Sequence, residues 1–248
     1  MLHLIGTGLY YLNDLPLRAL DIISKCDDVF LERYTNFNDI GFLEELEKNT
    51  GNKINIIGRE VLESSLITDK AVKSEVALLV PGDPLAATTH FSLIQECRER
   101  GIKFSIIHAS SIFSAVGETG LSMYKFGGTT SIPIYTKNFH PESFFDIVER
   151  NIKCGYHTLI LLEVKDGENF VKPAEAIDIL RKIETKKNEK IIAWENVIVL
   201  SKIGSDAQII KSAGYRKINE MKPPCAIIIP GTLNKNEEEA VEFLKENS

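Results

Sequence analysis

The stretch Val76-Ala77-Leu78-Leu79-Val80-Pro81-Gly82-Asp83-Pro84 passes from five apolar residues directly into a loop that carries two prolines. A short apolar run bounded by turn residues is typical of a buried β-strand, and the apolar spacing of Phe91–Arg100 predicts a helix after it. Because proline fixes φ, the loop is expected to hold the Asp83 carboxylate rigidly at the carboxyl end of the strand. Open α/β sheets bind ligands at such strand ends, so this stretch predicts both a fold class and a place for a site.

Alternating strand and helix patterns along the rest of the chain predict an α/β protein. Short apolar, β-branched runs predict nine strands: Leu2–Ile5, Val29–Glu32, Ile54–Ile57, Val76–Val80, Phe104–Ile107, Thr129–Ile134, Thr158–Val164, Val197–Leu200 and Ala226–Ile229. Apolar stripes at helical spacing predict six helices: Leu15–Cys26, Phe91–Arg100, Ile112–Met123, Glu142–Ile152, Ala174–Thr185 and Glu237–Lys245. We expect Asn236 to cap the last helix. Strand pairs without an intervening helix occur only in the later part, which favours two α/β domains, residues 1–109 and 110–248.

Composition narrows the class of protein. The 248 residues are 44% hydrophobic and 26% charged, as in a soluble globular protein, and the net charge of −6 argues against a nucleic-acid scaffold. No apolar stretch is long enough to span a membrane, and the first residues lack the features of a signal peptide. The four cysteines and five histidines show no metal-ligand spacing. We therefore expect a cytoplasmic protein with no metal and no membrane anchor.

The first candidate site is Gly6-Thr7-Gly8, between a predicted strand and a predicted helix. Glycine allows a ligand to approach the backbone, but it serves a tight turn equally well, and the sequence leaves both interpretations open. Glu32 ends the second strand as the ribose-binding acid of a dinucleotide fold would, which raises a nicotinamide-dependent oxidoreductase as an alternative. Tyr11 stands where that fingerprint requires a third glycine and counts against it.

The second candidate site is the loop that contains Asp83. Its carboxylate either faces a ligand or bonds the backbone of its own turn, and both interpretations stay open. Thr88-Thr89-His90 follow and are also explained as the cap of the next helix.

Two further segments offer polar groups. In His108–Gly117 a strand ends in small hydroxyl residues that begin a helix, whose free N–H groups could bind a ligand or only form an N-cap. A hydrolase is not expected, because Gly-x-Ser-x-Gly is absent. Tyr124-Lys125-Phe126-Gly127 offers a cation that could hold an anionic substrate group, although a solvated lysine is the commoner explanation.

Taken in order, these segments resemble the diphthine synthases. The matching strings are Leu4–Tyr10, Pro81–His90, His108–Leu121, Tyr124–Gly127, His157–Leu159, Gly204–Ser205 and Ile229–Gly231. The resemblance covers the whole chain and is closest to the compact archaeal members, because the long insertion of eukaryotic members is missing.

The resemblance implies a methyltransferase that uses S-adenosyl-L-methionine and releases S-adenosyl-L-homocysteine. Its fold would be of the tetrapyrrole methylase type, with two α/β domains, the cofactor in the cleft between them, and a homodimeric assembly. The substrate would be translation elongation factor 2, in which a histidine carries a 3-amino-3-carboxypropyl group. Three methyl groups on the amino nitrogen would give diphthine, as in archaea. A small-molecule, tetrapyrrole-like methyltransferase of the same fold and a non-catalytic binding protein are the alternatives.

Carried over by position, the family's cofactor contacts fall on Leu9, Asp83, Ala86, Ser111, Ile112, Leu162, Ile203 and Cys225. Most of these residues are apolar, which fits contacts made by backbone groups in an adenosyl pocket. Ala86 and Ile203 are conservative replacements, whereas Cys225 stands where relatives often have histidine, so only a main-chain role is expected there. Asp83 and His90 are the nearest candidates for a proton acceptor, and neither is assigned.

Overall fold

A computed structural model describes residues 1–10, 12–32, 40–165 and 169–246. Tyr11, on which the argument against a dinucleotide fingerprint depends, lies outside the described residues. The chain forms two compact units, and it passes from the first to the second after Phe113. Each unit contains one five-stranded sheet, so the expected α/β fold class is confirmed.

The first unit is a parallel sheet with strand order β3-β2-β4-β1-β5. Its strands are β1 (Leu2–Gly6), β2 (Asp28–Glu32), β3 (Ile54–Ile57), β4 (Val76–Val80) and β5 (Phe104–Ile107). The helices are α1 (Leu17–Ile23), α2 (Ile40–Thr50), α3 (Arg59–Leu62), α4 (Leu66–Lys73) and α5 (Phe91–Glu99). Alternate residues of β4 enter two different apolar clusters, so both faces of the sheet are buried. This explains why β4 reads as a continuous apolar run.

The second unit has a mixed sheet with order β6-β7-β10-β8-β9. Its strands are β6 (Thr130–Ile132), β7 (Thr158–Leu162), β8 (Ile198–Ser201), β9 (Ile209–Ser212) and β10 (Cys225–Ile229). Among the described strands of this sheet, β6 and β7 pair in parallel and the other pairs are antiparallel. The helices of this unit are α7 (Ser143–Lys153), α8 (Pro173–Lys186) and α9 (Lys235–Glu246).

The expected helix Ile112–Met123 is wrong as one element. The single turn α6 (Ile112–Ala115) passes into a 3₁₀ turn, Val116–Thr119, which ends at Gly120 with φ +78°. A Cβ on Gly120 would lie 2.5 Å from the Cβ of Ala240, so the close approach of α9 requires glycine here.

The cap of α9 also differs from the expectation. The side chain of Asn234, not Asn236, accepts the backbone N–H groups of Asn236 and Glu237, at 3.0 and 3.1 Å. The helix therefore begins at Lys235, two residues before the predicted first residue, Glu237.

Across the described residues, no helix is both long and apolar enough to cross a membrane.

Candidate functional site

The first candidate site lies where β1 and β4 end. The backbone N–H of Gly82 donates to the carbonyl of Gly8 at 2.9 Å, and that of Gly8 to Gly82 at 3.3 Å. Both glycines have positive φ. A Cβ on Gly8 would lie 2.4 Å from the Cβ of Asp14, and one on Gly6 would lie 2.5 Å from the Gly82 carbonyl oxygen. Protein atoms fill the space that a side chain would need at Gly6 and Gly8, so the tight turn requires glycine at both positions. Leu9 follows directly after this turn.

Asp83 connects the loop after β4 to the loop after β5. Its Oδ1 accepts the backbone N–H of Leu85 at 3.0 Å, so it does bond its own turn. Its Oδ2 is 2.7 Å from Nδ1 of His108 and accepts the backbone N–H of Ala109 at 3.3 Å. The Asp83 side chain is only 16% exposed, whereas the imidazole of His108 is 66% exposed. The carboxylate is thus fixed by three donors.

The remaining sequence-predicted residues of the first unit lie at the same edge of its sheet. The backbone N–H of Ala86 closes a turn onto the carbonyl of Asp83 at 3.2 Å. Ser111 and Ile112 follow β5, and a Cβ on Gly82 would lie 3.6 Å from the Cβ of Ser111. The carboxyl ends of β1, β4 and β5 therefore carry the residues Leu9, Asp83, Ala86, Ser111 and Ile112.

His90 is too deeply buried to accept a proton from a substrate. Its side chain is 2% exposed, with Nε2 3.0 Å from a carboxylate oxygen of the fully buried Glu32. Nδ1 lies 2.8 Å from the hydroxyl oxygen of Thr88. Because this pair occupies the Glu32 carboxylate inside the core, Glu32 is unsuited to bind the ribose of a dinucleotide, which counts against the oxidoreductase alternative.

In the second unit, three predicted residues gather at one edge of the sheet. Leu162 ends β7 and Cys225 begins β10, and because Leu161 pairs with Ala226 the two lie at the same end of that strand pair. Ile203 follows β8, whose Ser201 pairs with Cys225. All three side chains are buried. This edge is apolar and offers mainly backbone polar groups.

Cys225 has the chemistry of a buried thiol. Burial raises the pKa of its thiol to about 12, and Sγ donates to the carbonyl of Lys222 at 3.1 Å. A thiol in this state is neither a nucleophile nor a metal ligand near neutral pH. Cys225 is therefore expected to contribute only its main-chain groups to a ligand site.

Comparison with known proteins places the chain in a family. The model for "Tetrapyrrole (Corrin/Porphyrin) Methylases" matches residues 1–216. The diphthine synthase of Methanococcus maripaludis strain C7 is 38% identical over the full length of both chains. The protein belongs to the diphthine synthase family. It is accordingly a methyltransferase of the tetrapyrrole methylase fold.

Two further relatives extend the match. The diphthine methyl ester synthase of Yarrowia lipolytica is 36% identical and covers 99% of this chain, which spans 89% of the yeast protein. A crystal structure of a diphthine synthase superposes with a TM-score of 0.85 at 25% identity, covering 99% of this chain and 96% of that one.

The diphthine synthase strings of the second unit meet in a network that sequence reasoning missed. Lys125 is paired within the protein, because Nζ lies 2.5 Å from Oε2 of Glu237 and also contacts the carbonyl of Thr232. Nε2 of the fully buried His157 lies 3.0 Å from Oε1 of Glu237. Nδ1 of His157 accepts the backbone N–H of Gly231 at 3.0 Å. Residues 124–127, 157–159 and 229–231 are thus linked, directly or through His157, to Glu237 on α9.

The charges of this network are fixed by its hydrogen bonds. Burial acts to raise the pKa of Glu237, but donors from Lys125, His157 and the backbone of Asn234 and Ser122 lower that pKa to about 2. Burial lowers the pKa of His157 below its ordinary value, against the opposing effect of Glu237. The only sign of this network in the sequence was that Glu237 falls in the first turn of the last helix, and this position did not indicate that Lys125 and His157 are its partners.

Proposed function

We propose that this protein transfers methyl groups from S-adenosyl-L-methionine to translation elongation factor 2. The acceptor is the amino nitrogen of the 3-amino-3-carboxypropyl group on a modified histidine, and the product is diphthine. The observation that carries the proposal is the full-length match to curated diphthine synthases, at 38% identity for the Methanococcus protein. It favours this substrate over a tetrapyrrole-like small molecule, since that match is to proteins named for diphthine.

The two sheet edges supply groups that suit the cofactor. In the first unit, the carboxylate of Asp83 is complementary to the positive charge that S-adenosyl-L-methionine carries. In the second unit, Leu162, Ile203 and Cys225 provide buried apolar surface for an adenosyl group, with the backbone left to make polar contacts. When bound, the cofactor supplies an electrophilic methyl group, and the protein's task is to orient the amine and exclude water.

We propose three methyl transfers rather than four. The chain spans 100% of the archaeal diphthine synthase but only 89% of the yeast diphthine methyl ester synthase. The yeast relative is named for a methyl ester, whereas the archaeal relatives are named for diphthine alone.

Mass spectrometry of the product tests the function. Elongation factor 2 that carries the aminocarboxypropyl histidine is incubated with this protein and S-adenosyl-L-methionine, with unmodified factor as the control. We expect three added methyl groups on the modified histidine and none on the control. A fourth methyl group would contradict the archaeal-type reaction. No added methyl group would overturn the proposed function in favour of a small-molecule substrate or a non-catalytic role.

The assembly and location follow from the same proposal. We propose a homodimer that acts in the cytoplasm, where elongation factor 2 is found. Light scattering during size-exclusion chromatography is expected to give twice the mass of one chain, and a single-chain mass would overturn the dimer.

A further inference from the structure

His108 differs from most histidines of this chain in how its ring nitrogens are used. In three of the five histidines both ring nitrogens lie 3.0 Å or less from a polar atom of the protein: His3, His90 and His157. The fourth, His140, is an exposed residue whose ring packs edge-on against Tyr135. His108 alone is exposed yet held by a mostly buried carboxylate, that of Asp83, at 2.7 Å.

The contact with Asp83 fixes which nitrogen of His108 carries the proton. A carboxylate oxygen accepts hydrogen bonds, so Nδ1 must donate, and the lone pair of the neutral ring then lies on Nε2. Asp83 is itself held by the backbone N–H groups of Leu85 and Ala109. Within the described residues Nε2 has no hydrogen-bond partner, and Asp83 is the only carboxylate that pairs with the ring. The imidazole is therefore oriented, with an acceptor directed away from the protein.

The proposed reaction needs such an acceptor. The amine is protonated near neutral pH and cannot attack until one proton has left. In each transfer the methyl C–S bond breaks as the N–C bond forms. The first two transfers leave an ammonium that must lose another proton, whereas the third gives a quaternary nitrogen with none to lose. Three protons must therefore leave, one before each transfer.

We propose that Nε2 of His108 accepts these protons and that Asp83 positions the ring and stabilises the imidazolium. His108 lies directly after β5, at the sheet edge that also carries Asp83 and Ser111. A carboxylate that fixes the tautomer of a histidine base is the arrangement that makes imidazole an efficient acceptor in other enzymes. The inference rests on the proposed function.

The variant H108N separates this role from a structural one. The amide nitrogen of asparagine occupies about the place of Nδ1, so it can still donate to Asp83, but the distal acceptor is gone. H140N makes the same chemical change at an exposed histidine of the second unit and serves as the matched control. Affinity for S-adenosyl-L-methionine is measured by calorimetry, and single-turnover methylation of the modified elongation factor is followed from acid to alkaline pH.

We expect H108N to bind the cofactor like the wild type and to lose on the order of 100-fold in the rate of the first transfer at neutral pH. The loss should shrink as the pH rises, because the amine then loses its proton to water, and added imidazole should restore part of the rate. H140N should match the wild type. If the wild type methylates the factor and H108N does so within about threefold and with the same pH profile, the role of His108 is refuted while the function stands. A wild type without activity overturns both.

Discussion

Replacing Glu237 by glutamine is expected to destabilise the second unit by about 2–3 kcal/mol at neutral pH. The carboxylate is nearly inaccessible to solvent and receives hydrogen bonds from two side chains, Lys125 and His157, and from two backbone N–H groups. The pKa of Glu237 falls from an ordinary 4.5 to about 2 in the folded protein. At about 1.4 kcal/mol per pH unit, this difference corresponds to about 3 kcal/mol, of which a glutamine oxygen retains part.

The pH dependence of this stabilisation has a definite sign. Because the pKa of Glu237 is lower in the folded state, the stabilisation is complete above about pH 5 and is lost as the pH falls through about pH 2. The difference between wild type and E237Q should therefore shrink over that range. The lowered pKa of buried His157 also favours unfolding in acid. This effect is larger in E237Q, which lacks the opposing carboxylate, until Glu237 of the wild type is itself protonated, so the comparison is made between about pH 5 and pH 2.

The single tryptophan gives a local assay. Trp194 lies in the second unit, where its Nε1 donates to Glu184 at 2.9 Å, so its fluorescence reports the unfolding of this unit in urea. E238Q is the matched control, because Glu238 is the next residue in the same helical turn and its side chain is exposed. The reasoning is refuted if E237Q and E238Q unfold at the same urea concentration at neutral pH, or if the E237Q defect does not diminish in acid.

Three further outcomes are expected. Asp83→Ala should weaken binding of S-adenosyl-L-methionine in calorimetry while the protein stays folded and unfolds cooperatively, and unchanged affinity would remove Asp83 from the cofactor contacts. Gly8→Ala should cost more stability than Gly51→Ala, by about 1–3 kcal/mol in urea titrations, because both glycines have positive φ but only Gly8 has no room for a Cβ. Iodoacetamide at neutral pH should label exposed Cys154 and leave Cys225 unlabelled until the protein unfolds, because burial raises the pKa of Cys225 to about 12; equal labelling rates would contradict this.

The strands of the first unit could be read from the sequence because burial on both faces leaves a local signal. Ile54–Ile57, Val76–Val80 and Phe104–Ile107 have the bounds expected of them. The edge strand Ile209–Ser212 was missed, since three of its four residues are only half-buried and no apolar run marks it. Helix Ile40–Thr50 was missed as well, because charged and polar residues interrupt its apolar positions and leave only a weak helical pattern.

That Asp83 lies at the carboxyl end of a parallel strand was predictable from the sequence, whereas its hydrogen-bond partners were not. The rule that ligands bind at the carboxyl ends of parallel strands led to Asp83 without knowledge of the fold. Its partner His108 is 25 positions away along the chain, and the register of β1 between β4 and β5 brings the two together. The break of the predicted helix at Gly120 likewise depends on a contact with Ala240 that no local pattern encodes.

Within the part of the chain that the structure describes, carboxylate–histidine pairs occur at four places, and burial decides what each can do. The pairs are Glu75–His3, Glu32–His90, Glu237–His157 and Asp83–His108. In the first three, the second ring nitrogen also has a protein partner, so the imidazole cannot exchange a proton with a substrate without breaking a hydrogen bond. Only in the fourth pair is the carboxylate sheltered while the ring is exposed. Among the described residues, a histidine that is both oriented by a carboxylate and exposed is therefore found only where the loops after β4 and β5 meet, a distinction that the sequence, which singled out His90, did not reveal.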